Sequence, residues 1–141
     1  MSIHFAQLPW PASDTGTEVF QPVWISPSPL AVAMQMYHFA RILLLVHEPS
    51  VGGYNEFLRR EKHLSDAVDA ICGIAVTITD EPSTITSTQC LFAAGLFTHD
   101  RDPRKREAIV KLIDEGQIRT GWPVNSLTEE LQAEWTAADS K

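Results

Sequence analysis

The stretch MQMYHFARILLLVHEP, Met34 to Pro49, constrains the fold more than any other part of the chain. Its pattern is apolar almost all the way round a helix, yet Gln35, His38 and Arg41 run through it. A polar group taken out of water without a partner costs roughly 1 to 3 kcal/mol, and an unpaired charge costs more. The stretch therefore predicts a helix surrounded by neighbours. In it, Gln35, His38 and Arg41 face a polar network or the wall of an interior pocket, while Leu43, Leu44 and Val46 fill the core around them. The helix is expected over 29–47, with Ser28 as candidate cap, Pro29 tolerated at the first position and Pro49 marking the stop.

Four further segments carry helical patterns. Over 55–79, Leu64, Ala67, Val68, Ile71, Ala75 and Ile78 recur on one face, with Glu61, Ser65, Asp66 and Asp69 on the other. Over 83–98, the run CLFAAGLF is apolar on every side, and Gly95 is tolerable if it lets a neighbour come close. Over 103–115, Asp102 caps and Pro103 opens a helix with Ile109, Leu112 and Ile113 on one face, ending near Gly116. Over 127–137, Ser126 and Glu129 form a capping box ahead of Leu127, Leu131 and Trp135. AVTIT (75–79) is the one ambiguous stretch, so the fold class is all-α: a compact bundle of about five helices with the first and third central. Residues 1–28 hold Pro9, Pro11, Pro22 and Pro27 among Trp10, Phe20 and Trp24. They read as an irregular arm lying on the surface by its aromatic side chains, and 29–141 as a single helical domain.

With 44% hydrophobic and 21% charged residues the composition is globular, and 141 residues suffice for a core. A formal charge of -7 argues against direct contact with nucleic acid. The start lacks a signal-peptide pattern, and the apolar run Ile42 to Val46 is too short to span a bilayer. The expectation is an intracellular chain, cytoplasmic or nuclear, with no membrane partner. Cys72 and Cys90 sit in apolar helical patterns and read as buried thiols, inert as nucleophiles and unsuited to a disulfide framework.

Three constellations bear on chemistry. His38 and Arg41 lie three residues apart on one helix face, with Glu48 further along. A histidine beside a guanidinium serves as a general base of lowered pKa, while the arginine stabilises an enolate or carboxylate. The plainer reading of the same pair is structural hydrogen bonding. His63 and Asp66 have the spacing of two metal ligands, with His47 or Asp69 as further donors, but no third ligand is placed, so no metal and no cofactor is expected. In the loop THDRD, His99, Asp100 and Asp102 most simply cap the next helix. The run RDPRKR, 101–106, reads as a solvated basic face.

The blocks SPLAVAMQMYHFARILLLVHEP, AVDAICGIAV, STQCLFAAGLF and IDEGQIRTGWP, in that order, resemble the C-terminal part of the fungal-specific transcription factor domain. The resemblance covers roughly residues 23 to 135. It implies an α-helical regulatory domain of the kind that follows a zinc binuclear cluster, often tied to control of metabolism or secondary-metabolite genes. Matching positions include Tyr37, His38, Ala40, Arg41 and Leu43, then Cys90, Phe92, Ala94 and Gly95, then Gly121 and Trp122. The family lends these no catalytic role. A binuclear zinc cluster needs six clustered cysteines and this sequence has two.

Two functions are weighed. One is a regulatory, ligand-binding domain that takes up a small molecule or a protein partner, with Gln35, Tyr37, His38, Arg41 and Trp122 as candidate binding residues and a homodimer as one way to cover apolar surface. The other is a small cofactor-independent pathway enzyme, a cyclase or isomerase, with His38 and Arg41 as catalytic residues.

Overall fold

The computed structural model describes residues 19–49, 52–96, 103–121 and 125–140, without the side chains of 125 and 126. Five helices follow in order: α1 (Ser28–His47), α2 (Tyr54–Thr77), α3 (Glu81–Leu96), α4 (Pro103–Thr120) and α5 (Asn125–Asp139). They take up 84% of the described residues, and no strand is found among these. The ambiguous AVTIT splits: its first three residues finish α2, Ile78 is extended, and Thr79 is in neither helix nor strand.

α3 is the hub and touches each of the other four helices, whereas α1 touches only α2 and α3. The main core gathers Ile42 of α1, Leu64, Val68 and Ile71 of α2, Leu91 and Ala94 of α3, Ile109 and Ile113 of α4, and Leu131 and Trp135 of α5. The apolar faces expected of the second, fourth and fifth helices are thus the ones buried. A smaller cluster of Ala31, Ile74 and Ile78 lies where α1 begins and α2 ends.

α1 departs from expectation. Only Ala31, Gln35 and Ile42 of its residues are buried, so the helix lies on the bundle by one side instead of running through it. Leu44 is 72% exposed, Val46 is exposed and Leu43 is half-buried. Ile42, together with Leu45 and Phe39 against the cluster, occupies the core in their place. An all-round apolar helix gives no azimuth to prefer, and Gln35 chooses it.

Glycine and threonine set how closely the helices pack. A Cβ on Gly95 would stand 2.9 Å from Leu131 Cδ2, so glycine lets α5 seat Leu131 and Trp135 against α3, where Trp135 Nε1 donates to Gly95 O at 3.0 Å. Gly116 lies inside α4, not at its end: a Cβ there would meet Thr88 Oγ1 at 3.0 Å and Thr84 Cγ2 at 3.3 Å. The stop is Gly121, whose φ of 73° is the left-handed conformation that ends helices, with its N–H donating to Gln117 O at 2.8 Å. α3 starts two residues earlier than expected because Asp80, unnoticed in the sequence, accepts from the Ser83 N–H at 3.1 Å as its cap. Ser28 makes no cap for α1; no side chain does.

Residues 20–27, just before α1, form no helix or strand, and they do not lie merely on the surface. Phe20 is 2% exposed and belongs to the main core. Val23 N donates to Gly73 O at 3.0 Å and Thr77 Oγ1 to Val23 O at 2.9 Å, which pins the chain across α2. A Cβ on Gly73 would stand 2.4 Å from Gln21 O, so this crossing requires glycine. Trp10, His99, Asp100, Asp102 and Trp122 lie outside the described residues, as does the Ser126 side chain of the capping box.

Candidate functional site

The polar residues of α1 go to opposite places. Gln35 is fully buried and reaches across the bundle, its Nε2 donating to Ile71 O of α2 at 2.9 Å and to Ser87 Oγ of α3 at 2.9 Å. One side chain thereby joins three helices. Its Oε1 has no hydrogen-bond partner among the described residues. The two carbonyl- and hydroxyl-directed donors outweigh that loss only because Nε2 carries both.

His38 and Arg41 take the flank of α1, both half-buried. Arg41 Nη1 lies 3.2 Å from His38 Nδ1, so the ring nitrogen accepts from the guanidinium. Partial burial first, and the Arg41 charge second, lower the pKa of His38 below its usual value. Tyr37 meets the His38 ring edge-on at 5.1 Å between centroids, and is itself 56% exposed. The pair expected from the sequence is real, but it does not share a site with Gln35. Neither His38 nor Arg41 lines the depression at Thr84, Thr88 and Arg119, the one at Leu44 and Glu48, or the one at Phe20 and Asp69.

The most polar interior feature is one the sequence reading missed. Ser83, Thr84, Ser87 and Thr88 of α3 are all buried and lie on one helix face. Thr84 Oγ1 donates back to Asp80 O and Thr88 Oγ1 to Thr84 O, each at 2.8 Å, so the hydroxyls enter the interior already satisfied. Thr84, Ser87 and Thr88 line a crevice of about 50 Å³ with Leu91, Leu112, Gly116 and Arg119. Arg119 Nη1 donates to Ile78 O at 2.9 Å and Thr84 Oγ1 at 3.3 Å, tying the end of α2 to α3 and α4. The spacing of hydroxyls at steps of one, three and one along STITST was the available signal. The volume suits a few water molecules, against the roughly 300 to 1,000 Å³ of small-molecule sites.

The carboxylates of the His63 constellation are engaged in ion pairs. Asp66 pairs with Lys62 at 3.0 Å and Asp69 with Lys105 at 3.2 Å, and no group of three metal-ligating side chains occurs among the described residues. Cys72 and Cys90 are free and buried, and burial raises both thiols above their usual pKa. The basic run is not a solvated face throughout. Arg106 lies over the Trp135 ring at 5.2 Å and pairs with Asp139 at 2.7 Å, so with Lys105 it fastens α4 to α5 and α2.

What remains unaccounted for by the fold is the outer side of α1. Leu30, Met36, Tyr37 and Leu44 are exposed there, beside exposed Ala33 and Ala40. Leu44 also lines an open depression with Leu45, His47 and Glu48. By length and composition alone, the whole of α1 is long and apolar enough to cross a membrane, which the run Ile42–Val46 by itself is not. Comparison with protein-family models, with curated proteins and with solved structures yields no match.

Proposed function

We propose that this chain is a protein-interaction domain of regulatory type, acting by association and not by turnover. The observation that carries the reading is the outer side of α1, where four large apolar side chains face solvent along one helix while the opposite side packs on α2 and α3. Scattered apolar residues on a surface mean little, whereas an aligned row on one helix is the form of a contact face. The likeness of the sequence blocks to the C-terminal part of the fungal-specific transcription factor domain supports a regulatory role in the same direction. Direct DNA binding is not part of the proposal, since the chain carries two cysteines and a charge of -7.

An affinity capture from cells producing the protein tests this, comparing the wild type with Leu44→Glu and Tyr37→Glu. Neither side chain supports the domain's own core, so both variants are expected to melt as the wild type does. Proteins retained by the wild type, further copies of the chain included, are expected to be lost from both variants. Retention unchanged by both substitutions would overturn the reading.

A further inference from the structure

We infer that the partner of the outer α1 face is a second copy of the same chain, packed with its α1 antiparallel to the first across a twofold axis between Tyr37 and Ala40; this rests on the interaction reading above. The basis is a pattern in the exposed residues. Leu30, Ala33, Tyr37, Ala40, Leu44 and His47 follow one another at alternating steps of three and four, and all six are exposed. That spacing is the seam of two helices packed knobs into holes. Along this seam large and small side chains alternate from Leu30 to Leu44.

The alternation selects the direction. With the helices parallel, Tyr37 meets Tyr37 and Leu44 meets Leu44, while the alanines face each other across gaps. Reversing one helix puts Tyr37 opposite Ala40, Leu44 opposite Ala33 and Leu30 opposite His47, so that every bulky residue meets a smaller or polar-tipped one. The flanks agree: Met36 falls beside Leu43 of the other copy, and Arg41 beside Met34, with no two like charges opposed. Because each contact is repeated by the symmetry, the same face serves both copies, as an isologous dimer requires.

The area fits a reversible dimer. The exposed leucines, methionine, tyrosine and alanines of this face offer roughly 500 to 600 Å² per copy, below the roughly 800 Å² of a standard interface and in the range of weak, transient ones. A membrane is the weaker occupant, since Gln35 holds α1 to Ile71 and Ser87 and the chain's charge of -7 repels anionic lipid.

Sedimentation equilibrium at about 100 µM, a concentration suited to an interface of this size, is expected to give a dimer for the wild type and a monomer for Leu44→Glu with an unchanged circular-dichroism spectrum. Oxidative cross-linking then reads the direction without relying on a disruptive variant. An equimolar mixture of Tyr37→Cys and Ala40→Cys chains is expected to form a disulfide-linked dimer more readily than either alone, and Leu44→Cys alone to form little. Cys72 and Cys90 are buried and stay out of the reaction. A monomeric wild type overturns the inference, as does preferential self-linking of Leu44→Cys. Flotation of a monomeric wild type with phosphatidylcholine and phosphatidylglycerol vesicles, lost in Leu44→Glu, would also overturn it in favour of a lipid surface. A monomer that still captures another protein through Leu44 ends the dimer but leaves the interaction reading standing; a monomer that captures none ends both.

Discussion

α1 and the second half of α3, CLFAAGL, look alike in the sequence, each apolar almost all the way round, yet four helices enclose α3 and only two touch α1. The difference lies in their small and polar residues. α3 carries Gly95 toward α5 and receives Gly116 from α4, so neighbours on two sides approach closely. Its buried Thr84 and Thr88 hydroxyls donate back to the preceding turn and so need no acceptor from those neighbours. α1 has one buried polar residue, Gln35, and its two donor bonds both point to the same side. Apolar content says that a helix wants cover; the satisfied polar groups and the glycines say where the cover comes from.

The largest contrast is expected from the same substitution made on the two helices. Leu91→Ala on α3 removes a core side chain and should lower stability by about 2 to 5 kcal/mol. Leu44→Ala on α1 should change it by no more than about 0.5 kcal/mol in the monomer, as for a surface residue. Urea denaturation of dilute protein measures both, and equal losses would break the comparison.

Gln35→Ala is expected to cost about 1 to 3 kcal/mol, because it strips the bridge between α1, α2 and α3 and leaves Ser87 Oγ short of a donor. If α1 were held by its apolar contacts alone, the loss would be far smaller, and hydrogen exchange in α1 would stay unaltered where faster exchange is predicted.

Asp80→Ala should cost about 1 kcal/mol, the worth of an N-cap. Hydrogen bonds from Ser28 and Ser83 hold the Asp80 carboxyl down to about 2. The folded value lies below the unfolded one, so this contribution is present above roughly pH 4 and fades as the pH falls toward 2. Wild type and variant should therefore converge in melting temperature at the acid end of that window. Persistence of the full difference there would remove Asp80 as the cap linking α1 to α3.

The smallest effect is expected on the flank of α1. His38→Ala and Arg41→Ala should each stay within about 0.5 kcal/mol, since the bond between them does not reach beyond α1 itself. His38 has its folded pKa lowered, so its contribution is complete above its unfolded value near 6.5 and is lost as the pH falls through the folded value. Thermal melts from pH 7.5 down to 5 should show this slight acid sensitivity in the wild type and not in His38→Ala. A loss above about 2 kcal/mol at neutral pH would mean that the pair is anchored to groups of another helix.

The sequence legibility of this molecule follows the same division. α2, α4 and α5 carry apolar residues at helical period against charged ones, and their buried faces were readable before any coordinates. α1 has no such period, and its buried side was decided by a single amide whose partners, Ile71 and Ser87, are 36 and 52 residues away. In α3 hydropathy misleads, because serine and threonine count as polar in a sequence but are quiet inside a helix when they bond to the turn before. Gly116 read as a helix stop because the glycine signal does not separate a terminus from a close contact; the φ of Gly121 does. For the candidate site, the i, i+3 spacing of His38 and Arg41 correctly placed them side by side. Spacing carries no information on which way that face points: Gln35 turns into the bundle while the pair stays on the flank of α1.

The most direct measurement of the account is an isotope-filtered nuclear Overhauser experiment on a mixture of labelled and unlabelled wild-type chain at high concentration. It registers only contacts between copies. The antiparallel α1 pair predicts cross-peaks from the Tyr37 ring to the Ala40 methyl, and from the Leu44 methyls to the Ala33 methyl, of the other copy. Contacts of Leu44 with Leu44, or no intermolecular peaks to α1 at all, would contradict it.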